Sequence, residues 1–273
     1  MTPVVLVTGC STGGIGHALC EEFAKSGCIV YATSRNPATI GKFENKNITA
    51  LALDVTKDDD IHAVVHHLLE AEKRIDVLVN NAGGICPGPL LDQDIDKVKQ
   101  TFDTNTFGVL RMVKAVLPEM AKRRNGLIIN IGSVVGEVPT PWNGIYSASK
   151  AALYSLSEVL NMECRPFGVS VMHVAPGSVK SNIADNAVAQ YQLPSDSLYK
   201  TFLPNIMHRI YVSQGPRAMP THDFARVIVS KALSKNPPAY TMIGGYAALF
   251  TFLKWLPRAL VLLIMWRTYS RKL

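Results

Sequence analysis

No aspartate or glutamate occurs in residues 224–273 of this chain, although eight cations do: Arg226, Lys231, Lys235, Lys254, Arg258, Arg267, Arg271 and Lys272. All 21 acidic residues lie earlier, so the formal charge of +7 belongs to the tail and the body is close to neutral. An unbalanced basic segment directs attention to an anionic partner, either nucleic acid or a lipid surface. Cysteine is also sparse. Cys10, Cys20, Cys28, Cys86 and Cys164 are odd in number, scattered and without metal-ligand spacing, which excludes a disulfide scaffold and favours a reducing compartment. His62 and His66 stand four apart as two zinc ligands would, but residue 63 is alanine where a metalloprotease has glutamate, so they read as a solvated helix face and no metal is expected. No basic region with a cleavable apolar core precedes Val4–Val7, so no secretory signal is expected and Asn47-Ile48-Thr49 is an idle glycosylation pattern. Charged residues make up only 18% against 48% hydrophobic ones, which excludes a disordered chain.

What is present is an alternation of short apolar runs with helical periodicity. Val4-Val5-Leu6-Val7 reads as a buried parallel strand. It leads into Thr8-Gly9-Cys10-Ser11-Thr12-Gly13-Gly14-Ile15-Gly16 and then a helix from His17 to Ser26, stopped by Gly27. Strand, glycine turn and helix together let a pyrophosphate approach the backbone and meet the positive end of the helix. No Gly-Lys-Ser/Thr ending follows, which argues against a nucleoside-triphosphate loop. Further strands are expected at 28–33, 51–55, 76–79, 127–131, 169–174 and 239–243. Helices are expected at 58–73, at 95–124 with an interruption near Asn105 and Gly108, at 144–165, and at 220–234. This rhythm predicts a doubly wound seven-stranded parallel sheet of the Rossmann type, one domain over residues 1–243, with ligand sites beyond the carboxyl ends of the strands. Arg35 closes the second strand with no carboxylate beside it, which favours the 2′-phosphate of NADP(H) over the free ribose of NAD(H).

Tyr146-Ser-Ala-Ser-Lys150 is the candidate centre of chemistry. Residues i and i+4 share a helix face, and an ammonium beside a phenol favours the phenolate, easing proton exchange with a carbonyl or alcohol oxygen. The spacing is common on solvated helices, so its meaning rests on its surroundings. Ser133 precedes Tyr146 by thirteen residues, and every motif named falls at the carboxyl end of an expected strand.

In this order and spacing, Thr8-Gly9 with Gly14-Ile15-Gly16, Asp54, Asn81-Ala82-Gly83, Asn105, Ser133, Tyr146-x-x-x-Lys150 and Pro176-Gly177 resemble the short-chain dehydrogenase/reductase family, closely from residue 3 to about 182. The resemblance implies an NADP(H)-dependent oxidoreductase of the C=O/CH-OH pair. Tyr146 would be the general acid/base and Ser133 the carbonyl-orienting hydroxyl. Lys150 would lower the phenol's pKa and hold the nicotinamide ribose, and Asn105 would support a relay water. It also implies cofactor contacts by Gly9, Ser11, Thr12, Gly14, Ile15, Gly16, Arg35, Asp54, Val55, Asn81, Ala82, Gly83, Pro176, Gly177, Val179 and Ser181, with Asp54 at the adenine edge. Two departures stand out: the glycine loop is one residue longer than the family's pattern, which leaves the phosphate contacts of Thr12, Gly13 and Gly14 unassigned, and Ser181 replaces the more usual threonine. Within the family, the glycine loop, the Tyr-Ala-Thr-Ser-Arg strand end and the apolar tail are most similar to 1-acyldihydroxyacetone-phosphate reductases. The same strand end is also similar to NADP-linked hydroxysteroid dehydrogenases. A non-catalytic NADPH-binding scaffold would be expected to lose part of the Asn, Ser, Tyr, Lys set, which this chain keeps.

Residues 178–220 break the strand–helix rhythm. Tyr191, Leu193, Leu198, Tyr199, Phe202, Leu203, Ile206, Met207, Ile210 and Tyr211 either line an apolar pocket for a hydrophobic ketone or pack as an ordinary amphipathic helix. Lys180, Lys200, Arg209 and Arg217 either bind a substrate phosphate or are solvated. In the tail, 244–273, the stretch 246–266 is apolar apart from Thr251, Lys254, Pro257 and Arg258. Two cations and a proline disfavour a span. Lys254 and Arg258 share one face, which fits a segment lying at a membrane surface between Trp255 and Trp266, Arg267, Arg271 and Lys272. Packing on the body or on another subunit is the alternative. Cations set among leucines argue against nucleic acid. The expected location is the cytosolic face of the endoplasmic reticulum or a lipid droplet, with the cytoplasm as alternative; a homodimer through the two long helices is the family's habit.

Overall fold

The computed structural model describes residues 2–189 and 191–271. Its seven strands, β1 (Val4–Thr8), β2 (Ile29–Ser34), β3 (Ile48–Ala52), β4 (Val77–Asn80), β5 (Gly126–Ile131), β6 (Val169–Pro176) and β7 (Tyr240–Ile243), form one sheet in the order β3-β2-β1-β4-β5-β6-β7. Every pairing is parallel. The central strands read as continuous apolar runs because both faces are covered, and the pleat deals their residues alternately to two layers. Val5, Val7, Val79 and Ile129 enter the layer beneath α1 (Ile15–Lys25) and α8 (Thr221–Ala232). Leu6, Leu78 and Ile128 enter the opposite layer beneath α2 (Asp58–Glu72), α4 (Gly108–Arg123) and α5 (Gly144–Cys164). The strand order reverses between β1 and β4, which opens a crevice beyond their carboxyl ends.

The expected elements are present with shifted ends. The third strand stops at Ala52, so Asp54 lies in the following turn rather than closing the strand. Its carboxylate accepts from the Thr56 N–H (3.0 Å) and hydroxyl (2.8 Å), a local bond that competes with the ladder. The interruption expected near Asn105 is a π turn over Asp103–Phe107 between α3 (Ile95–Phe102) and α4, so the helix continues through it with one widened turn.

Between Ser178 and Pro220 lie two short helices, α6 (Ile183–Val188) and α7 (Leu203–Tyr211); α7 carries Leu203, Ile206, Met207, Ile210 and Tyr211 of the apolar residues expected to line a pocket. Of the ten, Ile210 alone lies on the wall of the cavity described below. Tyr191, Leu193, Tyr199, Phe202, Ile206 and Met207 instead close around Trp142 as a small second core, and Leu198, Leu203 and Tyr211 are exposed. A large indole that must be buried recruits its own shell of apolar neighbours.

The tail folds back on the body as α9 (Ala247–Leu253) and α10 (Arg258–Ser270), with Pro257 capping the second. Phe250, Leu253, Val261 and Met265 are buried against Val134, Val135 and Val138, which follow β5. Lys254 and Arg258, expected to face lipid headgroups, both turn to Glu137: Lys254 pairs with its carboxylate and Arg258 donates to its carbonyl at 3.0 Å. Among the described residues no helix is long and apolar enough to cross a membrane. The outer surface of the tail remains apolar and exposed at Phe252, Trp255, Leu260, Leu263 and Trp266; Lys272 lies outside the described residues.

Candidate active site

The crevice between β1 and β4 is built by side chains that bind backbone. The Thr8 hydroxyl accepts from the N–H groups of Asn81 and Ala82 at 3.0 Å each, and the Asn81 amide donates to the carbonyls of Thr8 (2.9 Å) and Gly9 (2.8 Å). This lacing leaves no space for larger residues. A Cβ on Gly9, at φ +73°, would lie 2.7 Å from the Ala82 Cα, and one on Gly16 would lie 2.5 Å from the Gly9 oxygen. Asn81, Gly9 and Gly16 thus share one close approach of β1, β4 and α1.

The extra residue of the glycine loop is taken up by anchoring the loop sideways. The Thr12 N–H bonds to the Thr39 carbonyl (2.9 Å), the Thr12 hydroxyl to the Ile40 carbonyl (2.8 Å), and Ser11 meets the Thr39 hydroxyl at 3.0 Å. Thr12 therefore spends its side chain on the loop after β2. Gly13, at φ +77°, and Gly14 carry the turn into α1. Arg35 is exposed at the end of β2 and faces a second hollow shared with Asp54 and Thr56. A glycine cradle at a helix N-terminus, a guanidinium at the end of β2 with no partner among the described residues and a carboxylate in the turn after β3 fit a phosphorylated dinucleotide. Val55 is buried and packs on Gly108, where a Cβ would lie 2.8 Å from the valine methyl.

Ser133, Tyr146 and Lys150 converge on a cavity of about 310 Å³ whose floor includes Ile15, Asn81, Gly83, Pro176, Gly177, Val179 and Ser181. Ser133 follows β5 and its hydroxyl accepts from the Val135 N–H at 3.4 Å. Burial pushes the phenol's pKa above its usual value, opposed by the nearby Ser133 hydroxyl and by the positive charge of Arg209. The ammonium of Lys150, expected to lower this pKa, donates to the Ile131 carbonyl at 2.7 Å and lies 5.8 Å from the phenol ring centre. Burial brings the lysine itself down to about 8. The phenol is therefore a held proton donor, and the ammonium is the more easily titrated member of the pair.

Asn105 is fully buried in the π turn. It exchanges hydrogen bonds with the Gly84 backbone (2.9 Å each way) and donates to the Ser149 hydroxyl at 3.0 Å. Ser149, which sequence reasoning passed over, hands that bond on to the Tyr146 carbonyl at 2.9 Å. Asn105 thereby ties the loop after β4 to the helix carrying Tyr146 and Lys150. Pro176 and Gly177 end β6 beside Gly245, where a Cβ on Gly177 would lie 2.1 Å from the Gly245 oxygen.

Two further features were invisible as site residues. Trp142 and Tyr246 both line the cavity and both hold left-handed backbone, at φ +63° and +65°, which is rare for bulky residues and concentrates at functional sites. The tail supplies Phe250, Leu253, Met265 and Tyr269 to the same wall. No local motif marks them, because their role comes from α9 and α10 folding over β5.

Seven parallel strands in this order, with this lacing and this triad, define a nucleotide-dependent oxidoreductase. The family model for short chain dehydrogenases matches residues 3–192, and the chain belongs to that family. It is 39% identical over 234 residues to short-chain dehydrogenase PC-15 of Penicillium crustosum, covering 85% of each chain. It is 37% identical over 199 residues to the NADPH-dependent 1-acyldihydroxyacetone phosphate reductase of Schizosaccharomyces pombe, covering 71% of this chain and 67% of the other. To the 3-ketodihydrosphingosine reductase of Bacteroides thetaiotaomicron it is 35% identical over 258 residues, 93% of each. The crystal structure of a short-chain dehydrogenase from Streptomyces avermitilis superposes with a TM-score of 0.82 at 29% identity, covering 99% of this chain and 98% of that one.

Proposed function

We propose that this chain uses NADPH to reduce a ketone to a secondary alcohol on a hydrophobic, lipid-like substrate, with 1-acyldihydroxyacetone phosphate, giving 1-acylglycerol 3-phosphate, as the best candidate. The observation that carries this reading is the convergence of Ser133, Tyr146 and Lys150 on one mainly apolar cavity, with Arg35 free at the end of β2. The names of the fungal acyldihydroxyacetone phosphate reductase and the bacterial ketosphingoid reductase, both acting on long-chain ketones, support the substrate class.

Bound NADPH supplies the hydride. Ser133 orients the carbonyl oxygen, and Tyr146, kept protonated by burial, gives its proton to the oxygen as negative charge develops there. Lys150 holds a positive charge beneath that oxygen while anchored to Ile131. Asn105 keeps the loop after β4 and the helix bearing Tyr146 in register. Trp142, Tyr246 and the tail exclude water and accept the alkyl chain. Gly9, Gly14, Ile15, Gly16, Asn81, Ala82, Gly83, Pro176, Gly177, Val179 and Ser181 would hold the cofactor, Arg35 would meet its 2′-phosphate, and Asp54 with Val55 would meet its adenine. Reduction of a steroid or specialised-metabolite ketone is the second reading, favoured by the exposure of Lys180, Lys200 and Arg217, three of the four cations that could meet a substrate phosphate.

The exposed aromatic and leucine face of the tail, in a segment without acids, supports docking to the cytosolic surface of the endoplasmic reticulum or of a lipid droplet. Exposed Phe107 at the end of the π turn and Leu110 on α4, with Leu156, Val159 and Met162 on α5, support pairing of two copies through those helices. The test is NADPH oxidation by the purified full chain in detergent against acyldihydroxyacetone phosphate, keto-steroids and simple hydrophobic ketones. Preference for the phospholipid precursor supports the first reading, preference for neutral ketones supports the second, and turnover of none overturns both.

A further inference from the structure

Of the four lid cations, three face solvent and one does not. Lys180, Lys200 and Arg217 are exposed, whereas Arg209 on α7 lies on the wall of the catalytic cavity. Its Nε donates to the Thr140 hydroxyl at 2.7 Å, and its guanidinium lies over the Tyr269 ring, 5.4 Å from the centre. Among the described residues no carboxylate pairs with it, and no acceptor meets either Nη atom. Burial draws its pKa below the usual arginine range, and its charge is near enough to pull down that of Tyr146.

An enclosed guanidinium held at Nε and by an aromatic face, with both Nη groups unspent, is an incomplete charge pair. The planar fork presents parallel N–H bonds that match a phosphate or carboxylate. Desolvating such a cation is costly unless an anion completes it. The held geometry also means that little orientation is lost when one arrives.

We propose that Arg209 is the anion-recognising residue of the substrate site, and that the ketone taken by this chain carries a phosphate or carboxylate within a few bonds of its carbonyl. The inference rests on the ketone-reductase reading and narrows it. The carbonyl lies at Tyr146 and Ser133, the anion at Arg209, and the alkyl part against the tail. A ketone bearing an ammonium beside the carbonyl, as a ketosphingoid base does, is disfavoured by the same charge.

The experiment measures kcat and KM of the full chain at saturating NADPH for matched ketones with one acyl chain: 1-acyldihydroxyacetone phosphate, a carboxylate-bearing analogue, and neutral 1-acyldihydroxyacetone. The wild type is expected to favour an anionic member by roughly 30-fold in kcat/KM, and Arg209→Leu to erase that preference mainly through KM. Arg209→Lys should retain part of it, and NADPH affinity should report that the variants are folded. Thr140→Val, which frees Nε without removing charge, should weaken the preference more mildly. The favoured member of the two anions identifies the group. Equal use of neutral and anionic ketones by the wild type, or an unchanged preference in Arg209→Leu, overturns the assignment and leaves the reductase reading standing. Turnover of none of the three overturns both.

Discussion

Glu137 and Lys254 form an ion pair that joins the turn after the catalytic Ser133 to the tail. The Glu137 side chain is 6% exposed and also accepts from the Tyr240 hydroxyl at 2.5 Å, so one carboxylate gathers β7, the tail and the Ser133 turn. The apolar wall over the cavity depends on that junction. Changing Glu137 to Ala leaves Lys254 and Tyr240 without their acceptor, and is expected to loosen α9 and α10. The expected result is faster proteolytic clipping within 246–271 and at least a tenfold rise in KM for a long-chain ketone. Resistance equal to the wild type with unchanged KM would show that apolar packing alone holds the tail.

Tyr146→Phe removes the proton donor and little else, because the ring, which packs with the tail cluster, is kept. Loss of about 10²- to 10⁴-fold in kcat is expected with NADPH binding retained, measured by single-turnover oxidation and by titration of cofactor fluorescence. Turnover within a few-fold of the wild type would remove Tyr146 from the mechanism.

Reduction requires a protonated phenol and a charged ammonium. Burial raises the first above its ordinary value and lowers the second to about 8, so as pH rises Lys150 gives up its proton before Tyr146 does. The kcat/KM for reduction should be level below neutrality and fall above about pH 8, roughly tenfold per unit. A profile still level at pH 10 would show that Lys150 stays charged or that its charge is dispensable.

Arg35 is exposed and makes no side-chain bond among the described residues, so its replacement by Ala should leave folding intact. Weakening of NADPH by about 10- to 100-fold, with NADH changed much less, is the outcome expected for a charge-assisted phosphate contact. Equal loss for both cofactors would place Arg35 elsewhere than the 2′-phosphate.

The sheet and the catalytic triad were legible in the sequence because they are local. A strand buried on both faces must read as a short apolar run, a glycine turn must lie where β1, β4 and α1 nearly touch, and a tyrosine and lysine four apart must share a helix face. Even the interruption near Asn105 left a trace, although not its form as a π turn.

What the sequence left open was decided by which surfaces met. Trp142 took the aromatic residues of 191–207 for its own shell, so most of the expected pocket lining became core. Lys254 and Arg258 found Glu137, and the tail closed over β5 to become a wall of the site. Arg209, one of four equivalent cations in the sequence, became the enclosed one because α7 turns it toward Thr140 and Tyr269. Burial is the largest influence on the Tyr146 proton. Composition and spacing assign a residue its chemistry, but desolvation and partner choice depend on contacts between distant segments, 69 residues apart for Arg209 and Thr140 and 117 for Lys254 and Glu137, which only the folded chain brings together.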